Sequence, residues 1–138
     1  MRTIVNALFV REGSILLARR SPRRTAYPGR WSFPGGHVEH NETLLEALVR
    51  EVQEEIGVMP TTFSFIGTIA DQNTAKTDPA TYHMYQVSEW IGGEPALLGK
   101  EHTELCWFKL SVAIALSDLA LEEYRPLLRG MISGISKG

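Results

Sequence analysis

Three glutamates are crowded onto less than two turns of a predicted helix in this 138-residue chain. They are Glu51, Glu54 and Glu55, within the stretch GHVEHNETLLEALVREVQEEIGV. At about 100° per residue, their side chains share roughly 100° of arc beside a separate aliphatic face. Like charges at these spacings repel one another, so we expect a cation beside them. Carboxylate oxygens favour Mg²⁺, with Mn²⁺ as an alternative, over zinc.

An acidic helix face that is simply solvated is the alternative interpretation, and it is the common one for glutamates on an arbitrary helix. The flanking residues favour an ion site. The turn at residues 34–36 (PGG) can bring backbone carbonyl oxygens close to an ion. Arg50 can pair with Glu54 or Glu46 on the same helix. Gly57 suits the position that ends a helix.

Hydrophobic periodicity predicts a mixed α/β layer fold in a single domain, residues 1–138. Strands are predicted at residues 4–10, 14–20, 31–36, 62–70, 81–91 and 105–110, helices at 43–56 and 122–131, and loops at 21–30, 71–80 and 91–104.

Composition excludes several classes of partner. A net charge of −2 gives no overall attraction to nucleic acid or anionic membrane. No apolar run approaches the roughly 18 residues of a membrane span. The single cysteine, Cys106, excludes an intrachain disulfide and a cysteine-based zinc cluster, and it fits a reducing cytoplasm.

The acidic stretch matches a known family pattern, G-x5-E-x7-R-E-U-x-E-E-x-G-U, where U is a bulky aliphatic residue. It is filled at Gly36, Glu42, Arg50, Glu51, Val52, Glu54, Glu55, Gly57 and Val58. This is the Nudix box, and the chain resembles the Nudix hydrolases of the MutT-like subgroup. The flanking order of elements also resembles a whole Nudix domain, an α/β/α sandwich with a mixed central sheet.

The resemblance implies metal-dependent hydrolysis of a nucleoside diphosphate linked to another group. It implies that Arg50 orients the glutamates, that Glu42 and Gly57 are structural, and that Gly36 is structural and borders the substrate. One glutamate can also transfer a proton to or from water. The implied metal-binding residues are Gly35, through its carbonyl, Glu51, Glu54 and Glu55.

Outside the box, the resemblance points to a further carboxylate before the last strand, which we assign to Glu101 rather than Glu104, as a catalytic and metal-linked residue. Arg20 resembles an arginine that contacts substrate phosphate, and Phe33 resembles a base-pocket residue. His102 in the same predicted loop is interpreted as solvated.

Several other residues are open to two interpretations. Arg23, Arg24 and Arg30 could attract a polyphosphate or serve only solubility. Trp31, Tyr82 and Tyr85 are expected to pack in the core or at a sheet edge, with contact to a nucleobase as the alternative.

Signatures of other subgroups are absent, so an unmodified or oxidised (d)NTP such as 8-oxo-dGTP is the leading expected substrate, giving a nucleoside monophosphate and pyrophosphate. ADP-ribose, a nucleotide sugar, NADH or a dinucleoside polyphosphate is the alternative. An isopentenyl-diphosphate-isomerase-like enzyme and a non-catalytic ligand-binding Nudix domain are alternatives from other classes. The protein is expected to be a monomer or a homodimer.

Overall fold

A computed structural model describes residues 2–71 and 79–137 of the chain. The loop predicted at residues 71–80 therefore falls mostly outside the described residues. The elements are β1 (Arg2–Arg11), β2 (Ser14–Arg20), β3 (Trp31–Ser32), β4 (Gly35–His37), α1 (Leu44–Ile56), β5 (Met59–Asp71), β6 (Ala80–Ile91), β7 (His102–Lys109), α2 (Leu110–Ala115) and α3 (Tyr124–Lys137).

Strand β1 organises a sheet of both parallel and antiparallel pairs. It runs parallel to β6 and antiparallel to β4 and β2. Strand β6 pairs antiparallel with β5, and β2 pairs antiparallel with β3 and β7. The predicted mixed sheet is confirmed.

Alternation along β1 separates two cores, because successive side chains of a strand point to opposite faces. Val5, Ala7 and Phe9 belong to a cluster with the buried face of α1. Leu8 belongs to a second cluster that includes residues of α2 and α3. Helices therefore cover both faces, and the predicted α/β/α sandwich is confirmed.

Helix α1 is the best specified element. Thr43 and Glu46 form a reciprocal capping box at its start. Its buried residues recur at helical spacing and are Ala47, Leu48, Val52, Glu55 and Ile56. Gly57 ends the helix in the left-handed region, with φ of 71°, and its N–H donates to the Gln53 carbonyl.

Several predicted elements differ in their bounds. The final helix, α3, spans Tyr124–Lys137 rather than residues 122–131. The strand predicted at residues 31–36 is two short strands, β3 and β4, separated at Pro34, which has no N–H to donate. Strand β5 begins at Met59 rather than residue 62. It includes Pro60, which is tolerated because β5 pairs only with β6 among the described strands.

The last strand was also predicted too short. Strand β7 begins at His102 rather than residue 105, and Leu110 opens helix α2, which the sequence did not predict. None of the described helices is long and apolar enough to span a bilayer.

Candidate active site

A cleft of about 630 Å³ opens beside β1 and β4. Its lining includes Gly36 and Glu51 from the predicted motif, Gly35 from the turn before it, and Glu101 from the segment before β7. Arg20 and Phe33 line it as well. The fold thus brings together residues that lie far apart in the sequence.

Glu55 is the most unusual charged residue beside this cleft. It is only 6% exposed, and the Gly35 N–H donates to its Oε2 atom at 2.7 Å. Burial raises its pKa to about 8, and the Glu51 and Glu101 charges add to the rise. Among the described residues, no donor hydrogen-bonds its buried Oε1 atom. An unpaired buried carboxylate oxygen is costly and calls for a positive ligand.

His102 lies against Glu55, so the interpretation of His102 as a solvated residue was wrong. Its side chain is 6% exposed, and Nδ1 lies 3.3 Å from Oε1 of Glu55, outside hydrogen-bonding geometry. Burial chiefly, then the Arg20 charge, lowers the pKa of His102 to about 4. The imidazole is therefore neutral near pH 7 and available as a metal ligand.

Glu51 reaches the same cleft beside Gly36. A Cβ atom on Gly36 would lie 2.5 Å from the Glu51 carboxyl carbon, so a larger residue here would displace this carboxylate from its observed position. Partial burial raises the pKa of Glu51. Glu54 differs, because its side chain is 61% exposed, pairs with Arg50 at 3.4 Å and does not line the cleft.

Arg50 forms hydrogen bonds to several other residues of the motif. Its guanidinium donates to both carboxylate oxygens of Glu42, at 2.6 and 2.9 Å, and to Glu51 at 2.8 Å. It also donates to the His37 carbonyl at 3.0 Å. Hydrogen bonding by Arg50 lowers the pKa of Glu42 to about 2. Glu42 thus fixes the position of the Arg50 side chain, and Arg50 in turn fixes the position of the Glu51 carboxylate.

We expect Arg50→Lys to lower kcat roughly 10- to 100-fold and stability by about 1–3 kcal/mol, because an ammonium group cannot reproduce this planar fork of donors. Steady-state kinetics and urea unfolding measure the two effects. Arg129→Lys, at an exposed position of α3, is the matched control. Equal behaviour of the two variants would contradict the bridging role of Arg50.

The opposite side of the cleft carries aromatic and cationic groups. Phe33 packs edge-on against Tyr124, with ring centroids 4.7 Å apart. The Arg20 Nε–H donates to the Ala26 carbonyl at 2.8 Å, and burial lowers the pKa of Arg20. Tyr82 packs against the core cluster on this side of the sheet, as expected, and also lines the cleft. An anion and an aromatic ring could bind here together.

Other candidates lie elsewhere. Glu104 pairs with Arg19 at 3.2 Å. Trp31 and Tyr85 are buried in the two cores, as expected. Arg30 donates to the Leu119 carbonyl, outside the cleft lining.

The donors beside the cleft fit a divalent cation. Ligand atoms of Glu55, Glu101 and His102 lie within 4.8 Å of one another, and the unpaired Glu55 oxygen is among the carboxylate oxygens on offer. Carboxylates suit Mg²⁺ or Mn²⁺. The neutral imidazole of His102 could serve as an additional ligand, which the sequence did not suggest.

Comparisons with known proteins point the same way. A model of the family described as NUDIX domain matches residues 1–130. The CTP pyrophosphohydrolase of Escherichia coli (strain K12) is 33% identical over 133 residues, which cover 94% of both chains. The nucleoside triphosphatase NudI of Salmonella paratyphi B is 31% identical, covering 95% of this chain and 98% of that protein. The structure of a MutT NUDIX hydrolase from Burkholderia pseudomallei has a TM-score of 0.81 and 28% identity, covering 93% of this chain and 95% of that one.

Proposed function

We propose that this chain, which belongs to the NUDIX family and is a nucleotide-pyrophosphate hydrolase, cleaves nucleoside triphosphates to a monophosphate and pyrophosphate with Mg²⁺. The observation that carries the proposal is the buried Glu55 carboxylate, whose Oε1 atom accepts no hydrogen bond from the described residues. It lies beside a cleft whose other side bears Arg20 and Phe33. Carboxylates for a metal and a cation for phosphate are what this hydrolysis requires.

The residues proposed to hold the metal are Gly35 through its carbonyl, Glu51, Glu54, Glu55 and Glu101. When bound, the cation polarises phosphate oxygens and lowers the pKa of water. Glu54 belongs to this set because it fills one of the glutamate positions of the Nudix box, although its side chain is exposed. Mn²⁺ would satisfy the same oxygens.

The remaining site residues are proposed to bind the substrate or to orient the metal-binding glutamates. Arg20 places a cation beside the substrate phosphates, and its partial burial strengthens that attraction. Phe33, which is 2% exposed and borders the cleft from the core, is the proposed contact for a base. Arg50 keeps Glu51 in place through the bonds described above. One glutamate of the box accepts the proton of the attacking water, and Glu101 is the second candidate for that role.

The names of two relatives support a triphosphate substrate, since one is called a CTP pyrophosphohydrolase and the other a nucleoside triphosphatase. The cleft volume of about 630 Å³ is adequate for a nucleotide. Unmodified (d)NTPs and oxidised ones such as 8-oxo-dGTP are therefore the proposed substrates. The free thiol of Cys106 is compatible with the reducing cytoplasm, which we propose as the location of this protein.

A substrate panel tests this proposal. It contains CTP, the four dNTPs, 8-oxo-dGTP, ADP-ribose, NADH, diadenosine tetraphosphate and a nucleotide sugar, each with Mg²⁺. We expect kcat/KM for one triphosphate to exceed that of every dinucleotide and sugar diphosphate at least about tenfold, equivalent to about 1.4 kcal/mol of transition-state binding. A preference for ADP-ribose or NADH would contradict the substrate proposal and leave the metal site standing.

A further inference from the structure

Four arginines lie in or next to the basic loop at residues 21–30, and the structure singles out one besides Arg20. Arg24 lines the cleft, whereas Arg23 is exposed outside the cleft lining. The Nη1 atom of Arg24 lies 3.4 Å from Oε2 of Glu101. Arg24 is therefore paired with a residue proposed to bind the metal.

Backbone hydrogen bonds hold these two residues near each other. The Ser21 N–H donates to the Glu101 carbonyl at 3.0 Å, and the Arg24 N–H donates to the Ser21 carbonyl at 3.1 Å. Ser21 is buried and is thus a common anchor for both segments. The side chains remain freer than the backbone, because they are 36% and 60% exposed. Exposed ion pairs of this kind are weak and exchange partners readily.

The charge of Arg24 also acts on groups across the cleft. Burial is the main cause of the lowered pKa of His102, and the charges of Arg20 and Arg24 lower it further. Arg24 also opposes the rise in the pKa of Glu55, which burial dominates. Arg24 lines the same cleft as Glu101 and His102, so its cation lies where the phosphates of a nucleotide would meet it.

We propose that Arg24 binds phosphates of the substrate and thereby releases Glu101 to the metal-binding residues. This rests on the proposed function, since it deepens the binding of a triphosphate at the same site. Glu101 has two alternative partners within reach. A carboxylate oxygen of Glu101 lies within 4.8 Å of ligand atoms of Glu55 and His102, while Oε2 faces Arg24. A polyphosphate attracts Arg24 more strongly than one carboxylate does, because it carries more charge.

The first test measures binding of inorganic tripolyphosphate by calorimetry in EDTA at low ionic strength. Arg24→Gln should weaken it roughly tenfold, the loss expected for one charge-assisted phosphate contact. The matched control is Arg23→Gln, which removes the same charge from the neighbouring residue and should change affinity less than about twofold. Arg24→Lys retains the charge and should retain most of the binding. Equal effects of Arg24→Gln and Arg23→Gln would overturn the proposal.

The second test measures the exchange itself through Mg²⁺ binding without nucleotide. Arg24→Gln should tighten Mg²⁺ binding about two- to fivefold, because the ion no longer competes with Arg24 for Glu101. When Glu101→Gln is also present, Arg24→Gln should increase Mg²⁺ affinity no more than Arg23→Gln does. If Arg24→Gln tightened Mg²⁺ binding equally with and without Glu101→Gln, the proposed exchange of Glu101 between Arg24 and the metal would be overturned.

These tests need no turnover, so they separate the two proposals. A protein that hydrolyses no triphosphate, but whose Arg24 and Arg23 variants differ as described, would contradict the proposed function and support the Arg24 assignment. A protein that hydrolyses triphosphates, but whose Arg24→Gln and Arg23→Gln variants bind tripolyphosphate equally well, would support the proposed function and contradict the Arg24 assignment.

Discussion

Glu55→Gln should abolish nearly all turnover and at the same time stabilise the metal-free protein at alkaline pH. The loss of kcat is expected to be at least about 10³-fold, because the substitution removes a metal-binding charge or the base for water. The gain in stability arises because Glu55 is only 6% exposed and one of its oxygens accepts no hydrogen bond from the described residues. Kinetics with Mg²⁺ and urea unfolding in EDTA measure the two effects.

The pH dependence follows from the raised pKa of Glu55. The folded protein holds this proton up to a pKa of about 8, while the ordinary value is 4.5. Below pH 4.5 the Glu55 carboxyl is protonated in both the folded and the unfolded protein, so it does not affect the free energy of unfolding. As pH rises from there to about 8, only the unfolded protein loses the proton, and the free energy of unfolding falls. The stability difference between Glu55→Gln and wild type should be small near pH 5 and reach a few kcal/mol above pH 8.

Glu54→Gln is the matched comparison, because it removes the same charge from the adjacent residue. The Glu54 side chain is 61% exposed, so no pH-dependent gain in stability is expected. Its turnover should still fall, since Glu54 is among the proposed metal-binding residues. A Glu55→Gln protein that gains no more stability at pH 8.5 than Glu54→Gln would contradict the buried-carboxylate account.

Gly35→Ala should destabilise the fold more than any other Gly→Ala substitution at the described positions. A Cβ atom there would lie 1.9 Å from the Val5 carbonyl oxygen, and Gly35 has φ of +152°. Val5 belongs to the central strand β1, so its backbone cannot move aside without breaking the β1–β4 pairing. We expect a loss of at least about 3 kcal/mol, measured by urea unfolding or as insoluble protein.

Gly130→Ala provides the control for that substitution. Gly130 lies in α3, and no atom of the described residues outside its own helix turn lies within 4 Å of the place that a Cβ atom would take. Alanine favours a helix over glycine, so this variant should gain about 0.5–1 kcal/mol. A Gly35→Ala protein as stable as Gly130→Ala would refute the close approach of β4 to β1.

Local patterns explain why much of the fold could be predicted. Helix α1 has a capping box, a 3.6-residue apolar period and a glycine at its end, and its predicted and observed bounds differ by one residue. The apolar runs of β1 and β2, which are rich in branched residues, likewise predicted strands. Helix α2 was missed because it has six residues and no side-chain cap to mark its start.

The details of the site depended on packing that no local pattern records. His102 was predicted to be solvated because it is a lone histidine in a predicted loop, but its side chain is buried against Glu55, which is 47 positions away in the chain. The pairing of Arg24 with Glu101 likewise joins two loops through Ser21. Glu54 and Glu55 share one motif, yet the sheet buries only Glu55, since a helix face is divided by its tertiary contacts.

The most direct test of pyrophosphate hydrolysis is ³¹P NMR of the products from the best triphosphate in the panel, with Mg²⁺. The account predicts resonances of a nucleoside monophosphate and inorganic pyrophosphate in equal amounts, and none in a parallel reaction with Glu55→Gln. Release of orthophosphate and a nucleoside diphosphate, or equal product formation by the Glu55→Gln protein, would contradict it.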